Sequence, residues 1–263
     1  MIRLPSNLTG GQGRIRSART RCPVGRGVCS AIVLALFLVL ADAGPPRQAA
    51  AAADLRIADR SVVRYAQAGD ATRDTGHGAP QDAVTWYNLG TAHLTGGRYA
   101  EAVDANREAI RLHPTFGDAW HNLGFAYANL GRYADAIVAY RQAVQLTPLS
   151  ADAWHNLGYA YAKLARYPEA IDAYREVVRL QPDRAVAWYS LGVTYTALNR
   201  YREAVDPLRQ AVRLNPDSAD AWYVLGLAYA GAGDRLAALD CVPPLRRLDP
   251  ARADALFTAV GPR

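Results

Sequence analysis

The chain is poor in the residues that most often carry cross-links or chemistry. Of its three cysteines, Cys22 and Cys29 lie near the start and only Cys241 falls in the body of the 263-residue sequence. No intramolecular disulfide can form in that body, and a multi-cysteine zinc site is excluded there. Lysine occurs once, at Lys163, against 29 arginines. A phosphate-binding loop needs a lysine after its glycines, and Gly10-Gly-Gln-Gly13 has none. Histidine occurs five times, and only His121 and His155 recur in a pattern. Two imidazoles at equivalent positions of successive repeats, whose helices sit about 10 Å apart, with no third ligand in the pattern, do not make the four-ligand set that zinc takes. No metal and no cofactor is expected. Cys241 has no patterned histidine partner that would make it a nucleophile.

Long apolar runs are also scarce. The one unbroken run, residues 31–40, follows a segment holding Arg3, Arg14, Arg16, Arg19, Arg21 and Arg26 and no acid, and Ala41-Asp-Ala43 comes after it. A basic region, a short apolar core and a small-x-small site describe a secretory signal peptide over 1–43. The run is short of the roughly 17–25 residues of a membrane-spanning helix. An uncleaved anchor over 28–43 is the alternative, and the only route to a membrane. No cysteine follows the run to take a lipid. The basic region is long for a leader and Met1 is the only methionine, which points to a start further along, at a codon such as that of Val24 or Val28.

Setting the leader aside removes six arginines and Asp42 from 30 basic and 24 acidic residues, leaving 24 against 23, a net of +1. The basic character therefore belongs to the leader, and nucleic acid is not an expected partner. Residues 44–82 divide into an amphipathic helix over 50–68, spaced by Leu55, Ala58, Val62, Tyr65 and Ala66, and a Gly/Asp/Thr/Pro linker.

What the chain does have is a period. All five tryptophans, Trp86, Trp120, Trp154, Trp188 and Trp222, stand 34 residues apart, which divides the sequence into 83–116, 117–150, 151–184, 185–218 and 219–252. Position 7 of every repeat is Leu and position 8 is Gly, from Leu89-Gly90 to Leu225-Gly226. Trp and Leu fall on one helical face, where each Trp is expected to hold its hairpin from the core, and the Gly admits a neighbouring helix. Position 11 is His93, Tyr127, Tyr161, Tyr195 or Tyr229; a turn follows at Gly97, Gly131, Ala165, Asn199 and Gly233. Position 20 is always Ala, and Pro114, Pro148, Pro182, Pro216 and Pro250 close the repeats, since proline cannot continue a helix. The fifth repeat departs from this: Pro243-Pro244 falls inside its second helix, where a kink or break is expected. Pro207 raises the same expectation more mildly. Residues 253–263 read as a capping helix and tail, with Leu256 at the tryptophan position.

Trp-x-x-Leu-Gly-x-x-Tyr with Ala and Pro at these offsets resembles the tetratricopeptide-repeat signature. The resemblance implies an all-α, right-handed superhelical solenoid of helix-turn-helix hairpins whose first helices line a concave groove through positions 2, 5, 6, 9, 12 and 13. Those positions hold Asp118 and Asp152; Tyr87, His121, His155 and Tyr189; Asn88, Asn122 and Asn156; Phe125 and Tyr159. The asparagine row is similar to the ladder in the repeats of O-linked N-acetylglucosamine transferases, and implies pairing with a peptide backbone. The neighbouring aromatics add apolar contact. The carboxylate clamp of heat-shock co-chaperones is not matched: Tyr87 and Thr91 replace its Lys and Asn, Asp152 stands at a later Lys, and only Asn122 fits. The aspartates favour a neutral or mildly basic ligand.

The expected function is an exported, periplasmic or secreted, non-catalytic scaffold for a protein or peptide. A self-associating repeat platform is the alternative, with a homo-oligomer possible, and an enzyme accessory subunit the more distant one. Signal cleavage predicts that intact-mass measurement on the exported chain finds Gly44 at the N-terminus; retention of residues 31–40 would identify an anchor.

Overall fold

The computed structural model describes residues 82–261, so the leader, the helix expected over 50–68 and most of the linker lie outside the described residues. Within them the chain forms twelve helices. The first four repeats are antiparallel hairpins: α1 (Ala83–Thr95) with α2 (Tyr99–Leu112), α3 (Gly117–Asn129) with α4 (Tyr133–Leu146), α5 (Ala151–Lys163) with α6 (Tyr167–Leu180), and α7 (Ala185–Ala197) with α8 (Tyr201–Leu214). The fifth repeat contributes α9 (Ala219–Ala232) and two short pieces, α10 (Arg235–Asp240) and α11 (Val242–Leu248), and α12 (Pro250–Val260) closes the array. There is no strand among the described residues.

Each hairpin depends on one close approach. A Cβ on Gly124 would lie 2.6 Å from the Tyr140 ring, one on Gly158 2.8 Å from Tyr174, and one on Gly192 2.4 Å from Leu208. These partners occupy position 24 of the same repeat, so glycine at position 8 lets the second helix seat a large side chain against the first helix's backbone. The turn between the two helices is equally regular. Gly97, Gly131 and Gly233 take positive φ, and so do Ala165 (55°) and Asn199 (58°). The left-handed conformation lets the next residue's N–H reach back five residues, as from Arg132 to the Tyr127 carbonyl at 2.9 Å. That arginine also stacks on the same tyrosine: Arg132, Arg166 and Arg200 sit 4.6, 4.7 and 4.9 Å from the rings of Tyr127, Tyr161 and Tyr195.

Trp120, Trp154, Trp188 and Trp222 pack against the core, and the structure gives them a second role. They are half-buried, and their indole N–H groups act between repeats. Trp120, Trp154, Trp188 and Trp222 donate to the carbonyls of Pro114, Pro148, Pro182 and Pro216 at 2.9, 2.9, 2.8 and 2.8 Å. Each proline both ends a hairpin and presents the acceptor that orients the next one.

The fifth repeat breaks, but just before its prolines. The chain turns at Cys241, and Pro243 and Pro244 stand in the first turn of α11, where a missing N–H costs nothing. Helix α8 runs unbroken through Pro207. Pro250 opens α12 instead of closing a repeat. Leu256 does not imitate a tryptophan; it is fully buried, and a Cβ on Gly226 would meet it at 2.4 Å. The capping helix thus fills the place that a position-24 side chain takes in the repeats before it.

Two substitutions of opposite sign test this account. Ala165→Gly relieves the left-handed alanine and raises stability by about 0.5–1 kcal/mol, whereas Gly124→Ala overpacks Tyr140 and lowers it by roughly 1–3 kcal/mol. Chemical denaturation monitored by circular dichroism reads both.

Candidate functional site: the face of the first helices

First helices of neighbouring repeats pack on one another, α1 with α3, α3 with α5 and α7 with α9, while no comparable packing joins successive second helices. The array therefore bends with its first helices inside, and positions 2, 5, 6 and 9 of those helices are the ones the family resemblance assigns to the concave face.

Position 6 is less open than the sequence suggests. Asn122 and Asn156 are only 4% and 6% exposed. The amide nitrogen of Asn122 donates to Thr91 Oγ1 at 3.0 Å, and that of Asn156 meets His121 Nε2 at 2.9 Å. Thr91 in turn donates to the Tyr87 carbonyl at 3.0 Å. These two asparagines spend their donors across repeat junctions, which corrects the picture of a row of free carboxamides. Asn88, in the first repeat, is half-buried.

The series stops at the junction of repeats 3 and 4, where position 6 becomes Ser190. His155, the counterpart of His121, is 4% exposed and neither ring nitrogen has a hydrogen-bond partner among the described residues. Its ring packs on Tyr174, 5.5 Å between centroids. Burial, with Arg184 acting in the same direction and Asp152 against it, lowers the His155 pKa from 6.5 to about 4. Burial also lowers His121, opposed by Asp152 and Asp118.

The aromatics are placed to make contacts. Tyr87 stacks on Phe116 at 4.9 Å, and its phenol is pushed above the usual range by burial and then by the charge of Asp118. Tyr159 is half-buried, edge-on to Tyr133 at 6.3 Å and beneath the Lys163 ammonium at 5.2 Å. Phe125 is buried in the core. Tyr189 is half-buried, with its hydroxyl sealed from solvent and lacking a hydrogen-bond partner among the described residues.

The carboxylates divide. Asp152 pairs with Arg184 at 2.7 Å and Asp220 pairs with Arg252, while exposed Asp118 has no ion pair among the described residues. These arginines at position 34 were missed by reasoning from the first helices alone. The signal was present in the aligned repeats as an acid at position 2 followed 32 residues later by an arginine.

Elsewhere the surface offers clefts but no reactive constellation. The second helices of repeats 4 and 5 part to leave an open cleft of about 930 Å³ floored by Trp222, Leu225 and Tyr229; its counterpart over Trp154, Leu157 and Tyr161 is about 330 Å³. Cys241 lines the larger one but is buried, donates to the Ala237 carbonyl at 3.4 Å, and has its thiol pKa pushed up to about 12 by burial. No group of three or more His, Cys, Asp or Glu converges among the described residues, and no helix there is long and apolar enough to cross a membrane.

Sequence profiles of the tetratricopeptide repeat match residues 83–116, 106–138, 129–164 and 149–217. The chain belongs to the tetratricopeptide-repeat family. Its helix pairs superpose on solved members. A crystal structure of MamA shares 26% identity over 63% of this chain and 97% of its own, with a TM-score of 0.59. MamA from Desulfovibrio magneticus RS-1 shares 24% over 66% and 98%, at 0.61. YrrB, described as a TPR protein with an unusual peptide-binding site, shares 19% over 74% and 97%, at 0.63. No curated protein sequence matches the chain. Membership makes this tetratricopeptide array a scaffold for protein interaction, a family role that is typically non-catalytic.

The buried imidazole sets a pH dependence. His155 stays neutral in the fold down to about pH 4, whereas the unfolded chain takes up that proton near 6.5. The unfolded state thus binds more protons in between, and stability present in full above pH 6.5 is lost as pH falls toward 4, by up to about 1.4 kcal/mol per unit. Urea midpoints at pH 7, 5.5 and 4.5 should decline in the wild type and less in His155→Tyr, which installs the residue found at this position in repeats 1, 4 and 5.

Proposed function

We propose that this tetratricopeptide array is an exported scaffold that takes a protein segment or extended peptide along its concave face. The observation that carries the reading is the arrangement of that face: half-buried Tyr87, Tyr159 and Tyr189 stand on the first helices of repeats 1, 3 and 4 beside exposed carboxylates, with Asn122 and Asn156 tying the first helices of repeats 1 to 3 together behind them. Tyrosines with one polar end and a large apolar body, already fixed by packing, suit contact with a peptide at small entropic cost. Tyr87, His121, Tyr159, Tyr189 and Asp118 are the proposed contacts. Asn88, Asn122, Asn156, His155, Phe125 and Asp152 hold the face in shape, with the amide donors of Asn122 and Asn156 remaining in the repeat junctions. Export is supported by the basic and apolar character of residues 1–43 and by Ala41-Asp-Ala43. Peptide binding on the same fold is supported by the neighbour YrrB.

The test is site-directed photocrosslinking in the full chain. A photoreactive residue at Tyr159 should form adducts with a separate polypeptide, and one at Gln142, exposed on the second helix of repeat 2, should not. Adducts from Gln142 and none from Tyr159 would move the binding surface to the outer face. Adducts with a second copy of the chain alone would replace this reading with self-association.

A further inference from the structure

Position 34 of each repeat lies where it can cover positions 2 and 5 of the same repeat, and the five repeats treat it in two ways. In repeats 1, 3 and 5 the cover is present. Phe116 stacks on Tyr87 at 4.9 Å; Arg184 pairs with Asp152 at 2.7 Å; Arg252 pairs with Asp220 and lies 5.9 Å from the Tyr223 ring. In repeats 2 and 4 position 34 is a serine turned the other way. Ser150 Oγ accepts the Ala153 N–H at 3.3 Å and Ser218 Oγ accepts the Ala221 N–H at 3.2 Å, each capping the following helix.

The uncovered residues are therefore Asp118 with His121 in repeat 2, and Val186 with Tyr189 in repeat 4. Their chemistry differs. Asp118 is exposed and has no ion pair among the described residues, unlike both of its counterparts. Val186 is 45% exposed beside a tyrosine whose hydroxyl has no partner among the described residues. We infer that these are two side-chain subsites of the groove, the first for an arginine and the second for an apolar residue of one extended peptide. The inference rests on the concave face being the binding surface.

The chain itself supplies the template for the first subsite. Arg252 shows what a guanidinium does at this register: it meets the position-2 carboxylate and lies near the position-5 ring. A planar guanidinium can pair with a carboxylate and stack on a ring together, which an ammonium does less well. In repeat 2 the carboxylate of Asp118 and the rings of His121 and neighbouring Tyr87 are in place, and the arginine is the part a ligand would bring. The second subsite presents an apolar side chain and the body of a ring whose sealed hydroxyl lies toward the already paired Asp220 and Arg252, and buries an aliphatic group. The two lie two repeats apart, roughly 20 Å at about 10 Å per helix spacing. At about 3.3 Å per extended residue this separates arginine and apolar residue by about six positions.

Selection of a random dodecapeptide library on the full chain tests this. Enriched peptides should carry arginine and, five to seven residues away, an aliphatic side chain. Replacing that arginine by glutamine should weaken binding roughly tenfold, the scale of one charge-assisted contact. Asp118→Asn should abolish the arginine preference. Ser150→Arg, which closes the subsite from within, should do the same; Ser150→Ala, which removes only the helix cap, should retain it. Enriched peptides without the arginine preference, or a preference that survives both Asp118→Asn and Ser150→Arg, overturn this inference and leave groove binding standing. A library yielding no peptide above a control selection removes both.

Discussion

The indole N–H of the tryptophan in repeats 2 to 5, donating to the proline carbonyl that ends the repeat before it, is the contact on which the array's regularity rests. A hairpin cannot bury its apolar face alone, so a solenoid needs a rule for placing each hairpin against the last. Here the rule is a hydrogen bond from a tryptophan side chain to the main-chain carbonyl of a proline. Proline supplies a helix stop together with a carbonyl unused by any helix, and tryptophan supplies a single donor on a large rigid ring. Because the acceptor lies six residues before the donor, the corner between hairpins has one length, and the period has little freedom to vary.

From that corner the rest of the fold follows in layers. Glycine at position 8 lets the second helix of the hairpin close on the first, with Tyr140, Tyr174 or Leu208 filling the space. The left-handed turn aims an arginine back over the position-11 tyrosine. Where the second helix fails, after Cys241, the closing helix α12 supplies Leu256 to the same glycine position. The cap is thus a replacement for a missing packing partner as well as a cover for the end of the array.

The concave face is uneven for the same reason that the corners are even. Hydrogen bonds across the first two junctions, through Asn122 and Asn156, tie the first helices of repeats 1 to 3. At the next junction position 6 is Ser190 and the His155 nitrogens are left unsatisfied, while the Tyr189 hydroxyl, also unsatisfied, lies toward Asp220 and Arg252 of the fifth repeat. The N-terminal half of the face is accordingly better fixed by polar contacts than the C-terminal half. The uncompensated acidic charge of position 2 also lies there, at Asp118.

The sequence alone determined the period, the family, the helical hairpins and the positions of the turns, because each depends on residues whose backbone chemistry is local: glycine for positive φ and close approach, proline for a stop. It also placed the aromatics and aspartates on one face, since a helix repeats every 3.6 residues whatever it packs against. What only the tertiary structure decided is which of those groups are already used. Whether a tryptophan serves its own hairpin or the next, whether an asparagine donor is free or turned across a junction, and whether an aspartate meets an arginine 32 residues away all depend on how one hairpin seats on another. The break at Cys241 shows the same division: Pro243-Pro244 marked the helix as interrupted, but the location of the break and the use of Leu256 to repair the packing were set by the space the array left to fill.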